Sequence, residues 1–188
     1  MSTKTSELLA LTEPGTVAVV RGISDDHLDR PTPCRDYTVR DLLNHLFDVV
    51  VNFEALARRE EVDWSVRTDH LTSGWRDRFP KEAARLIETW SDPAVLEGVS
   101  AGMGVPQKTI GSMALIDLTV HGWDLARATD QEFTMDPSVV AALHEFLDER
   151  GDMGQRMGVF AAPVPTDAAP GTVDALLGRT GRDPAWSR

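Results

Sequence analysis

The sequence predicts an all-α protein built as a bundle of about four core helices. Residues 39–56 carry a hydrophobic stripe with the helical period: Val39, Leu42, Leu43, Leu46, Val49, Val50, Phe53 and Leu56. Residues 108–128 hold a longer and almost wholly apolar helical run. No stretch alternates polar and apolar residues long enough to form a sheet.

Residues 8–23 read as a helix interrupted or started near Pro14. Thr12 is then its N-cap, and Pro14 sits in the first turn, where a missing N–H costs little. A loop containing Pro31 and Pro33 follows. The next helix has the clearest start, because Thr38 and Asp41 keep capping-box spacing with Asp in place of the usual Glu. His45 falls on the edge of its stripe, beside Leu42 and Val49.

Residues 60–79 are polar, dotted with Trp64 and Trp75, and read as a long loop with a helical turn at most. Residues 80–90 read as a helix with Pro80 near its start and Ala83, Ala84, Ile87 and Trp90 spaced for one face. Ser91, Asp92 and Pro93 end it, and Gly98, Gly102 and Gly104 mark a connection. In residues 108–128 the stripe runs Ile110, Ala114, Asp117, Leu118, His121, Leu125, Ala128. Met113, Leu115, Ile116, Val120 and Trp123 make the other faces apolar, so burial on most sides is expected. Asp136, Pro137 and Ser138 start a helix that runs to Arg150. From Gly151 the chain is rich in Gly and Pro, with an extended run at 159–165 and a short closing helix at 172–177.

At 188 residues the chain is long enough for a real core and reads as a single domain over 1–188. Hydrophobic residues at 41% and charged residues at 26% give the balance of a soluble globular protein. The net charge of −11 argues against nucleic acid or an anionic membrane as the main partner, since both need a basic face. The apolar runs are far short of a membrane span. The first residues lack the pattern of a secretory signal. One cysteine, Cys34, permits no intrachain disulfide and fits a reducing cytoplasm.

Chemistry is suggested by Asp117 and His121, which stack on one face of an apolar helix with Cβ atoms about 5–6 Å apart. A charged residue rarely enters a core unless it is paired or binds a metal. His45 offers a third donor from a facing helix. Two imidazoles and a carboxylate suit a borderline divalent ion such as zinc, nickel or ferrous iron, and three ligands leave a position open. The same spacing also suits a satisfied hydrogen bond in the core, and spacing alone leaves both readings standing. It is not the HExxH pattern. Asp124 reads either as an acceptor for an imidazole N–H or as a partner of Arg127. Cys34 reads as an unactivated buried thiol rather than a nucleophile. His27, His70 and His144 stand in polar contexts and are expected to face solvent. Core packing is the default for Trp64, Trp75, Trp90 and Trp123. No catalytic residue is assigned from these patterns.

Three segments carry a resemblance: RPTPCRDYTVRDLLNHL at 30–46, DLTVHGWDLARA at 117–128 and LGRTGRDPAW at 177–186. Together they resemble an actinobacterial metal-binding group related to the mycothiol-dependent maleylpyruvate isomerase N-terminal domain, within the DinB-like superfamily. The resemblance implies a DinB-like four-helix bundle with extra short helices and an extended C-terminal tail. It also implies a divalent metal, often zinc, on the positions of His45, Asp117 and His121. Characterised relatives use the metal to hold and ionise a low-molecular-weight thiol such as mycothiol or bacillithiol, which attacks an electrophile.

There are departures. The isomerase has Glu where this chain has Asp117, and it has a C-terminal domain that helps form its active site. Both point away from maleylpyruvate isomerisation itself. Tyr37 stands where relatives often have Trp, which reads as a packing change. The expected function is therefore a thiol-dependent transferase or isomerase acting on small molecules, with Arg127 or Arg35 as contacts for an anionic ligand. The alternative is a non-catalytic metal- or ligand-binding module. Relatives are often dimers, and exposed aromatics would permit a homodimer here.

Overall fold

In the computed structural model, which describes residues 5–150, 153–156 and 159–188, the chain is helical, with no strand among those residues. Its helices are α1 (Thr5–Gly22), α2 (Val39–Ala57), α3 (Trp75–Trp90), α4 (Gln107–Ala128), α5 (Pro137–Arg150), α6 (Met153–Arg156) and α7 (Val173–Arg179). Gly151, where the Gly- and Pro-rich tail begins, lies outside the described residues. α1 and α2 each pack against both α3 and α4, which makes these four the core bundle. α5 covers α4 and α1, and α7 packs on α5.

α2 starts where its capping box predicts. The Thr38 hydroxyl accepts from the Asp41 backbone N–H at 3.3 Å, and the Asp41 carboxylate accepts from the Thr38 N–H at 3.0 Å. The whole expected stripe, from Val39 to Leu56, is buried. α4 is buried along most of its length and on every face, as its apolar composition requires. Its glycine at 122 serves close approach. A Cβ there would lie 2.7 Å from Thr16 Oγ1 and 2.9 Å from the Phe133 ring. Hydrogen bonds lock the same contact: Thr16 Oγ1 donates to the Leu118 carbonyl at 3.1 Å, and Thr12 and Thr119 hydroxyls meet at 3.3 Å.

Two helix starts differ from expectation, both at prolines. Pro14 lies inside α1, which begins at Thr5, so Thr12 is a mid-helix residue and not a cap. α3 begins at Trp75, so Pro80 is also internal and the preceding loop is shorter than read. An internal proline costs about 3 kcal/mol. Burying a large apolar side chain returns about 1.5–3 kcal/mol. Leu8 and Leu9 before Pro14, and Trp75 and Phe79 before Pro80, are all buried, and their packing outweighs the break. On α3 the buried face runs through Ala83, Leu86 and Trp90, and Ala84 is exposed.

The chain after α5 returns to the bundle. Val164 N–H donates to the Gly178 carbonyl at 2.9 Å, which ties the irregular segment to α7. Thr172 caps α7 through the Ala175 N–H. Gly181 then turns the chain with φ +81°, and a Cβ there would also strike Ala161 at 2.8 Å. The turn sends Arg182 inward, where it is only 4% exposed.

Candidate metal centre

The site forms where α2 faces α4, closed by a loop and by the C-terminal segment. The loop between Leu28 and Thr38 is pinned by Val39 N–H to the Arg30 carbonyl and Arg40 N–H to the Leu28 carbonyl, both 2.9 Å. Thr32 Oγ1 stands 3.0 Å from the Cys34 carbonyl and 2.9 Å from that of Tyr37, sharing its proton between them. These bonds hold Cys34 and Tyr37 at the site.

One donor atom each from His45, Asp117 and His121 lie within 4.8 Å of one another. The His45 and His121 rings meet edge to face, centroids 4.9 Å apart, and Tyr37 lies 5.8 Å from His45. Donors bound at about 2.0–2.2 Å stand about 3–4 Å apart around one ion, so these three need draw in only slightly. His121 Nε2 is 3.8 Å from Asp117 Oδ1, too far for a hydrogen bond. The core-hydrogen-bond reading of that pair is therefore not met. Asp117 is buried and accepts no hydrogen bond among the described residues.

Electrostatics follow from this burial. Desolvation raises the Asp117 carboxyl above its ordinary 3.8, against the partial relief of His121 and Arg182. His45 is pushed down to about 3, first by burial and then by the neighbouring His121, Arg67 and Arg182. Burial pushes the Cys34 thiol up to about 11, partly offset by Arg182, and raises the Tyr37 phenol as well. Cys34 is thus the unactivated, half-buried thiol that its sequence context suggests.

Asp124 behaves differently. Burial alone would raise its pKa, but the Arg182 charge and then the His121 hydrogen bond outweigh it and hold the carboxyl low. Arg182 Nη2 donates to Asp124 Oδ2 at 2.8 Å, and its Nε lies 3.3 and 3.2 Å from Oδ1 and Oδ2. His121 Nδ1 is 3.0 Å from Oδ2. Cys34, His121 and Asp124 also offer three donor atoms within 4.8 Å of one another. A cation there would sit against the buried guanidinium that already occupies Asp124. In the His45, Asp117, His121 set no guanidinium hydrogen-bonds the carboxylate among the described residues, although the Arg182 charge is felt there.

Other candidates fall elsewhere. Arg127 does not reach Asp124: it donates to the Trp186 carbonyl at 2.7 Å and lies over the Trp123 ring. Arg35 is exposed. His70 does not face solvent, because it stacks on Phe47 at 5.1 Å and pairs with Asp48 at 2.7 Å. His144 is half-buried and donates to the Thr172 carbonyl at 3.0 Å, while His27 is partly exposed. These partners lie on other segments, out of reach of a local polarity reading. Trp75, Trp90 and Trp123 are buried and Trp64 is 39% exposed. Arg182 was not singled out by sequence, although it stands in the LGRTGRDPAW segment just after the glycine that turns it inward.

The model of the mycothiol maleylpyruvate isomerase N-terminal domain matches residues 15–126, a span that holds Cys34, His45, Asp117, His121 and Asp124 and ends before Arg182. Two proteins of Mycobacterium tuberculosis, both described as uncharacterized, are 29% identical over 179 residues. One is from strain CDC 1551 / Oshkosh and the other from strain ATCC 25618 / H37Rv, and each match covers 88% of this chain and 92% of the relative. No solved structure matches the chain. With more than half its length matched, the chain belongs to the mycothiol maleylpyruvate isomerase N-terminal domain family.

Proposed function

We propose that this chain binds a divalent metal on His45, Asp117 and His121 and uses it in thiol-dependent transfer to, or isomerisation of, a small electrophile. Asp117 carries the reading: a buried carboxylate, without a hydrogen bond among the described residues, faces two imidazole rings. Such a group persists in a core when a cation or a proton neutralises it. Two nitrogens and one oxygen fit zinc first, with nickel or ferrous iron behind it. When bound, the ion would lower the pKa of a low-molecular-weight thiol, mycothiol or a similar one, so that thiolate exists near neutral pH.

The chain's own residues do the rest. Burial keeps His45 neutral, with a lone pair free for the ion. Asp117 supplies the negative charge. Asp124 accepts from His121 on the side away from Asp117. Cys34, pushed up to about 11, stays a thiol at neutral pH and does not compete as a nucleophile. A single domain acting on small molecules in the cytoplasm is the setting we favour, since a net charge of −11 opposes nucleic-acid and anionic-membrane partners. Among the described residues no helix is long and apolar enough to cross a membrane.

The test is metal analysis of protein purified without chelator, with His121→Ala alongside, followed by turnover with mycothiol and monochlorobimane. About one ion per chain, lost in the variant, is expected for a three-ligand site. Sub-stoichiometric metal that His121→Ala leaves unchanged would remove the metal assignment. Full metal without turnover would turn the reading to a non-catalytic binding module.

A further inference from the structure

We infer that Arg182, acting through Asp124, is a positioning residue that fixes the tautomer and aim of His121, so that the C-terminal segment is a working part of the metal centre. The consequence for metal affinity rests on the metal reading above; the tautomer itself does not.

His121 Nδ1 lies 3.0 Å from Asp124 Oδ2 and 3.4 Å from Arg182 Nη2. These contacts demand opposite tautomers, because a carboxylate only accepts and a guanidinium only donates. The shorter contact decides. Asp124 is held ionised by Arg182, with both side chains almost wholly buried, so a bare Nδ1 lone pair would face carboxylate lone pairs at 3.0 Å. Nδ1 must therefore carry the proton and donate to Asp124. In the neutral ring Nε2 then keeps its lone pair, on the side where Asp117 stands at 3.8 Å. That is the form a metal ligand needs, and an imidazole backed by a carboxylate is oriented by it and made more basic.

Arg182 is what keeps this carboxylate fixed. It binds Asp124 through two nitrogens, and its Nη1 donates to the Thr180 carbonyl at 2.6 Å. The guanidinium is thus anchored to the turn that delivers it. Its position follows from Gly181, whose φ of +81° and contact with Ala161 exclude a side chain. Arg182 lies outside residues 15–126, so the support comes from a segment beyond the matched family region.

The test starts with metal-free, nitrogen-15-labelled full-length protein. Long-range proton–nitrogen correlation spectra at neutral pH should show His121 as the Nδ1–H tautomer in wild type, and an Nε2–H tautomer or a doubly protonated ring would overturn the proposal. The double variant D124L/R182M removes both charges together and avoids a lone buried ion, so it should fold. In it the Nδ1–H population should fall. An unchanged tautomer would overturn the proposal, because a merely structural ion pair would not move that signal. Zinc competition against a chromophoric chelator should show affinity lower on the order of 10–100-fold in D124L/R182M and R182Q. R182K should recover most of it, and affinity equal to wild type in R182Q would overturn the role of Arg182. Wild type that holds the Nδ1–H tautomer yet takes up no zinc would support the positioning role and remove the metal reading.

Discussion

Asp117 and Asp124 flank His121 on the same helix, one turn before it and one turn after, and both are buried. Asp124 has a guanidinium and an imidazole, and its carboxyl is held low. Asp117 has no hydrogen bond among the described residues, and burial drives its carboxyl up. The two differ in partners, and slightly in depth, since Asp117 keeps 8% exposure and Asp124 none. The charge of Asp124 is matched by a guanidinium, whereas Asp117 faces two imidazole rings without a hydrogen bond among the described residues.

The contrast can be broken most forcefully at Arg182. Arg182→Met leaves the buried Asp124 with only its His121 contact and no guanidinium, and should cost about 3–5 kcal/mol in urea unfolding. A loss below about 1 kcal/mol would mean that the pair is no more than a surface bridge.

Asp117→Asn should act in the other direction. Without metal it should stabilise the fold at neutral pH by about 1–3 kcal/mol, by removing a buried charge that accepts no hydrogen bond among the described residues. The sign follows from linkage. The folded-state pKa lies above the ordinary 3.8, so the folded state keeps its proton longer and the wild type loses stability as pH rises through that window. Asn abolishes this loss. With zinc at 100 times its dissociation constant, wild type gains about 2.7 kcal/mol that the variant lacks, so the order of stabilities approaches or crosses reversal. Unfolding midpoints at pH 4 and pH 7, with and without zinc, measure it. His45 gives the complementary slope. Its pKa is depressed to about 3, so its contribution is present above the unfolded value near 6.5 and is lost as pH falls towards 3. His45→Ala should flatten that acid limb.

Gly181→Ala tests delivery of the arginine. It forces a side chain into left-handed backbone against Ala161, at a cost of about 1–2 kcal/mol. Zinc affinity should fall with it. Arg127→Ala should be smallest, within about 1 kcal/mol, because it removes an exposed hydrogen bond to the Trp186 carbonyl and a distant contact over the Trp123 ring and leaves zinc binding alone. A large loss of zinc in this variant would return Arg127 to the site.

Local signals made α2 and α4 legible, since a capping box and a helical stripe are written in neighbouring residues. They also gave His45, Asp117 and His121 as a set, and the structure brings their donor atoms together. The misread starts of α1 and α3 share one cause. A proline carries its penalty locally, whereas what overcomes it, the packing of Leu8, Leu9, Trp75 and Phe79, is a property of the assembled bundle. Arg182 stayed hidden for a similar reason. A hydrophilic residue in a polar, Gly-flanked tail looks solvated until its partner, 58 positions earlier, is known. His70 looked exposed in the same way, with Asp48 lying 22 positions before it.

The inward turn at Gly181 also sets an order of assembly. All four bundle helices leave the ribosome before Arg182 does. Until it arrives, Asp124 lacks its clamp and His121 is free to change tautomer and rotate. On the role inferred for Arg182, metal capture waits for residue 182 to emerge, and a nascent chain that stops short of it holds metal poorly. Stalled nascent chains that expose residues up to 179 or up to 188, compared for zinc retention, would reveal that timing, and equal retention would count against it.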